Sequence, residues 1–147
     1  MSFFNSVRIA ATGLTAQRLR MDTIAENIAN AQTTRTADGG PFRRRTVIFE
    51  EMADRHPFGL LVSRELDRQG TGVRVRAISE DFSPGPLVFD PTHPDANAEG
   101  YVMMPNINIV EEMVNMISAS RSYEANITAL ANLRHITQRT LEIGSGR

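Results

Sequence analysis

Hydrophobic residues recur with helical spacing at both ends of this chain, and between the two ends they alternate or break off. The stronger pattern covers residues 108–141. Met113, Met116, Ser120, Tyr123, Ile127 and Leu130 follow one another at alternating steps of three and four, which places them in a narrow stripe along one helix face. Val110, Val114 and Ile117 form a second apolar line beside it in the first three turns. One partner helix covers one stripe, so a double stripe calls for more than one neighbour. Asn108-Ile109-Val110-Glu111-Glu112 has the form of a capping box, with Asn108 capping the first free amides and Glu111 reaching back to the amide of Asn108. Both carboxylates also suit the positive end of the helix dipole. At about 1.5 Å per residue the rod is about 50 Å long, against roughly 30–40 Å for a compact domain of this chain length. Such a helix protrudes or packs against another molecule.

Residues 2–31 carry the second helical pattern. Val7, Leu14, Met21 and Ile28 fall every seven residues, with Ala10, Gln17, Ile24 and Ala31 between them, again at heptad spacing. This stripe is thin, because Ala10 and Ala31 are small and Gln17 is polar, so packing must supply most of the helix's stability. Gly13 costs about 1 kcal/mol relative to alanine inside a helix; it is either a tolerated defect or the mark of a closely approaching neighbour. Thr33, Thr34 and the turn Asp38-Gly39-Gly40-Pro41 end the pattern.

Between the helices the spacing changes. Thr46-Val47-Ile48-Phe49 predicts a short strand, and Leu60 to Leu66 a second. The clearest strand is Val73 to Ile78, where Val73, Val75 and Ala77 alternate with Arg74 and Arg76 and period two sends the arginines to water. Leu87-Val88-Phe89 is another short strand, Asp90 to Gly100 an irregular connector, and Tyr101 to Met104 an extended lead-in to the last helix. The expected fold is mainly α with a small β-rich insert. The long N- and C-terminal helices pair as an α-helical coiled coil, and short strands or hairpins lie between them. The divisions are 1–34 for the first helix, 35–105 for the insert and connectors, and 106–147 for the last helix.

Composition narrows the chemistry. The 147 residues hold 16 basic and 17 acidic side chains, so no global field argues for nucleic acid or an anionic membrane. Cysteine is absent, which excludes disulfides, thiolate metal sites and cysteine nucleophiles. The N-terminus lacks the form of a secretory signal, and no apolar run approaches the roughly 20 residues of a membrane span. His93, Asp95, Asn97 and Glu99, with Asp90 nearby, have metal-ligand chemistry. Alternate polar residues in a loop with Pro91, Pro94 and Gly100 are more often turn-formers. Arg43-Arg44-Arg45 beside Phe42 resembles a phosphate-tracking run; with Glu50 and Glu51 close behind, a solvated or salt-bridged face is the stronger reading. His56, His93 and His135 sit in no nucleophile elbow, and no phosphate-cradling loop is present. Met113, Met116 and Tyr123 are packing residues, methionine suiting irregular contacts. The expectation is no enzyme, no cofactor and no metal.

Two stretches carry a family resemblance. Leu14-Thr15-Ala16-Gln17, Arg20-Met21-Asp22 and Ile24-Ala25-Glu26-Asn27-Ile28-Ala29-Asn30-Ala31 with Thr33-Thr34 resemble the N-terminal signature of bacterial flagellar rod and hook proteins. The run from Tyr101 to Val114, and Ala119-Ser120-Arg121-Ser122-Tyr123-Glu124-Ala125-Asn126, are similar to the C-terminal helix of a proximal rod member. Gly39-Gly40-Pro41-Phe42-Arg43-Arg44 and His93-Pro94-Asp95-Ala96-Asn97 add to the likeness. The resemblance implies a structural subunit of the basal-body rod, exported unfolded by the flagellar type III apparatus without a cleaved signal. The implied partners are other copies of itself, proximal and distal rod subunits, the adaptor to the membrane ring and the export apparatus, with no nucleic acid and no membrane span. The terminal helices would form the inner wall of the rod. The expected assembly residues are Val7, Leu14, Met21, Ile24, Asn27, Ile28 and Asn30 on the first helix. On the last they are Val110, Met113, Val114, Met116, Ile117, Tyr123, Ile127 and Leu130. A cytoplasmic coiled-coil adaptor or export chaperone is the alternative that the same amphipathic helices allow, and a hydrolase using His93 and Asp95 a more distant one.

Overall fold

The structure, a computed structural model, describes residues 3–52 and 70–144. The strand expected at Leu60 to Leu66 lies outside the described residues. Helix α1 spans Phe3–Ala29 and helix α2 spans Ile109–Gly144. Between them come β1 (Arg45–Glu51), β2 (Val73–Glu80), β3 (Leu87–Phe89) and β4 (Tyr101–Met103). The chain is mainly helical with a small β-rich insert, and α1 packs along α2 more extensively than any other two elements meet.

Local chemistry sets the helix ends. The Glu26 carbonyl accepts from both the backbone N–H and the side-chain amide of Asn30, and Thr33 N–H donates to the Asn30 carbonyl, so the last turn of α1 closes on its own acceptors. The chain then reverses at Gly39 and Gly40, both at positive φ, where glycine alone is unstrained. At α2, Asn108 Oδ1 accepts from the N–H groups of Val110 at 3.0 Å and Glu111 at 3.4 Å. That is half of the expected box; Glu111 is exposed, and its carboxylate makes no return bond to Asn108 among the described residues.

β1 and β2 pair antiparallel, Val47 opposite Ile78, with an irregularity between Ile48 and Phe49 that leaves Arg76 outside the ladder. Val73 and Val75 are half-buried while Arg74 and Arg76 face water, as period two requires; past the irregularity Ala77 is exposed as well. This sheet lies against α1. Thr12 Oγ1 accepts from Val73 N–H at 3.2 Å, and Arg45 reaches Glu26 at 2.7 Å. β3 and β4 form a separate antiparallel pair, Leu87 opposite Met103 and Phe89 opposite Tyr101. Val102 is buried on one face of this hairpin, while the Phe89 and Tyr101 rings meet edge to face at 5.2 Å on the other.

Among the described residues the fully buried apolar side chains are Ala10, Ala16, Ile24, Phe42, Val102 and Ala119, half of them alanine. Glu112 and Asn27 are the largest side chains fully enclosed among the described residues. Polar bonding therefore does at the centre of this fold what large aliphatic residues do in a thicker core.

Candidate assembly interface

Two contacts fix how the helices lie. Asn27 Nδ2 donates to Glu112 Oε2 at 2.9 Å, and a Cβ placed on Gly13 would stand 3.0 Å from Asn126 Oδ1. The same number of residues separates the two contacts on each helix, in opposite directions, so α1 and α2 run antiparallel. Gly13 is thus the close-approach glycine, with the Asn126 amide occupying the room a side chain would take.

On α2, the side facing α1 runs through Glu112, Met116, Ala119, Tyr123, Asn126, Leu130 and Leu133, all buried or half-buried. Met116, Tyr123 and Leu130 were legible as a stripe. Glu112, Ala119 and Asn126 were not, because they are charged, small and polar. Met113 and Ile127, read as their neighbours in one stripe, lie one residue off this line and are exposed.

Glu112 is the centre of a polar knot that ties four segments together. Its Oε1 accepts from Arg44 Nη2 at 2.7 Å and Nε at 3.0 Å, and Asn115 Nδ2 also approaches it at 3.3 Å. Asn27 in turn clamps the start of β1: its Oδ1 accepts from Arg45 N–H at 2.9 Å, and its Nδ2 donates to the Arg45 carbonyl at 2.8 Å. Asn106 Oδ1 accepts from Arg44 N–H at 3.1 Å, bringing in the lead to α2. Burial pushes the Glu112 carboxyl up, but the bonds from Asn27 and Arg44 and the guanidinium charge outweigh it and leave the group below the ordinary glutamate value. Helix capping and the dipole thus do not account for Glu112; it is a buried partner of Arg44. The arginine run resolves likewise into separate tasks, with Arg44 on Glu112, Arg45 on Glu26 and Glu80, and Arg43 over the Phe82 ring at 4.3 Å.

The other expected assembly residues divide by position. Ile24 is buried and Asn27 is 0% exposed, so within the single chain both face inward and Asn27 offers no surface to a neighbour. Asn30 caps the end of α1. Val7, Leu14, Met21 and Ile28 are half-buried. Val110, Met113, Val114 and Ile117 stand in water, Val110 at 69% and Val114 at 62% exposed. They form a continuous line at helical spacing (i, i+3, i+4, i+7) on the side of α2 turned away from α1. At the other end of the pair, an open groove of about 740 Å³ lies between the start of α1 and the second half of α2. Phe3, Phe4, Val7, Ile127, Leu130 and Ala131 line it, together with the exposed Arg134 and His135.

The loop with metal-ligand chemistry is a set of turns. Asp95 accepts from Thr34 Oγ1 at 2.8 Å and meets Arg35, His93 Nδ1 accepts from Asp95 N–H, and Asn97 Oδ1 accepts from the N–H groups of Glu99 and Tyr101. Among the described residues no three His, Asp or Glu side chains stand together as a metal site, and no helix is long and apolar enough to cross a membrane.

Both ends of the chain match known family models. Residues 7–35 match the model described as flagella basal body rod protein, and residues 98–143 the one described as flagellar basal body rod FlgEFG protein C-terminal. Paired terminal helices with these matches define the class: a flagellar basal-body rod protein. Full-length relatives narrow it. The chain is 48% identical over 153 residues to the flagellar basal-body rod protein FlgC of Borreliella burgdorferi, covering 99% of this chain and 100% of that protein. It is 42% identical to FlgC of Bacillus subtilis, over 98% of this chain and 99% of that protein. With FlgC of Salmonella typhimurium it shares 40% identity over the same proportions. The chain belongs to the FlgC family of flagellar basal-body rod proteins.

Proposed function

We propose that this chain is a non-enzymatic structural subunit of the proximal rod, polymerising helically through its terminal helices into part of the driveshaft and the wall of the export channel. The observation that carries this reading is the outward line Val110, Met113, Val114 and Ile117, an apolar strip exposed on a helix that belongs to the rod-protein family model. An exposed strip of this spacing is the contact surface of a helix that packs against another. Its neighbours would be other copies and other rod subunits, with the ring adaptor and export apparatus at the base. Torque would pass through many such packed side chains at once.

Export through the flagellar type III apparatus requires an unfolded chain, and the thin core and absence of cysteine favour easy unfolding. The terminal helices, joined across a seam of small and polar residues, would then gain stability from their neighbours and pack as a coiled coil once assembled.

Val114→Asp tests the reading. The side chain lies in water in the single chain, so the variant should fold with a Tm within about 2 °C of the parent. A carboxylate trapped in a packed interface costs several kcal/mol; the variant should be missing from isolated basal bodies, and cells carrying it should not swim. Normal incorporation would remove this face from the assembly. Retention of the unaltered chain in the cytoplasm, away from basal bodies, would instead favour an adaptor or chaperone.

A further inference from the structure

We propose that the cleft where α1, the start of β1 and α2 meet is a receptor for a single carboxylate group, held by Arg20. The cleft has a volume of about 300 Å³. It is lined by Arg20 of α1, by Arg44, Arg45 and Thr46 at the start of β1, and by Glu112 and Asn115 of α2. Arg20 is half-buried, and among the described residues it has no hydrogen bond, ion pair or ring contact. All of its N–H donors are unspent. Drawing a guanidinium partly out of water without a partner costs free energy, and no contact among the described residues offsets it. Its place at the cleft is explained by what it binds.

The other charges that line the cleft are already matched. Glu112 accepts two hydrogen bonds from Arg44, one from Asn27 and one from Asn115, which fills the acceptor positions of a carboxylate. It has none left for Arg20. Arg44 is neutralised by Glu112, and Arg45 by Glu26 and Glu80. The one positive charge left over is that of Arg20, and it selects a monoanion. A carboxylate fits, since its two oxygens take parallel N–H bonds from a guanidinium fork. A phosphate would bring nearly twice the charge toward Glu112. The Thr46 hydroxyl and the second amide hydrogen of Asn115 have no acceptor among the described residues and supply neutral donors beside Arg20.

Acetate is the probe, added to the purified full chain at neutral pH against chloride of equal ionic strength. The Tm should rise saturably, by about 4 °C at ten times the dissociation constant, and phosphate should raise it less. Arg20→Gln loses an unpaired cation, so in chloride it should melt with the parent, and acetate should no longer raise its Tm. Arg20→Lys keeps the charge without the fork and should retain a reduced rise. In the unaltered chain, the side-chain Nε–H resonance of Arg20 should shift along the same saturation curve, a readout that needs no variant to fold. An equal rise in the parent and Arg20→Gln, an unmoved Arg20 resonance, or a larger response to phosphate would each overturn the assignment. A lower Tm of Arg20→Gln in chloride would do so too, since it would make Arg20 a structural residue. A side chain of another protein and a free small carboxylate present the same group, and isolated basal bodies separate them. Loss of Arg20→Gln from basal bodies places the carboxylate on a neighbouring protein, and full incorporation leaves a free anion as its source. Binding is read on the purified chain, so its failure leaves the rod reading untouched.

Discussion

Asn27 and Glu112 show how much of this molecule rests on two side chains. Asn27 spends both ends of its amide, accepting from and donating to the Arg45 backbone and donating to Glu112. Asn27→Asp keeps the shape but removes the donors and sets a carboxylate against a carboxylate. At neutral pH it should cost roughly 3 kcal/mol, about 10 °C in Tm, and thermal melts should show the deficit narrowing in acid as the pair takes up a proton. Glu112 makes its own pH signature. Its folded value lies below its unfolded one, so its contribution is complete above the ordinary glutamate range and is lost as the pH falls through the folded value. The Tm difference between the parent and Glu112→Gln should therefore be largest near neutrality and shrink on acidification; a constant difference would mean the charge does not matter. Neither side chain could be placed inside from its chemistry alone. A glutamate in the first turn of a helix is ordinarily explained by the dipole, and only the arrival of Arg44 from another segment makes it a core residue.

At the scale of elements, spacing located both helices to within a few residues, because heptad periodicity survives even a thin stripe. On α2 it found part of the inward seam, Met116, Tyr123 and Leu130, and missed the residues between them. Hydrophobicity favoured Met113 and Ile127, while the real seam passes through Glu112, Ala119 and Asn126, where a close approach to Gly13 and Asn27 needs small or bonded side chains. The short strands were legible from β-branched and aromatic runs, and their pairing was not, since pairing depends on contacts distant in sequence. The β3–β4 hairpin carries one unforgiving position. A Cβ on Gly85 would lie 1.8 Å from the Met104 carbonyl oxygen, a rigid backbone atom next to the bond from Met104 N–H to the Pro86 carbonyl. Gly85→Ala should cost about 3 kcal/mol or more and should raise amide exchange at Met104; an unchanged exchange rate would show that the hairpin absorbs the methyl freely.

At the scale of the whole molecule, among the described residues the largest fully enclosed side chains are polar, Asn27 and Glu112, while an apolar line stands in water on the longest helix. Within one chain that arrangement wastes apolar surface, and in a stack of chains it does not. The central claim is therefore that the outward face of α2 is buried only on assembly, and accessibility of a single thiol tests it most directly. Val114→Cys should react rapidly with a maleimide as the purified chain and be protected in isolated basal bodies. Equal reactivity in the two states would contradict the account.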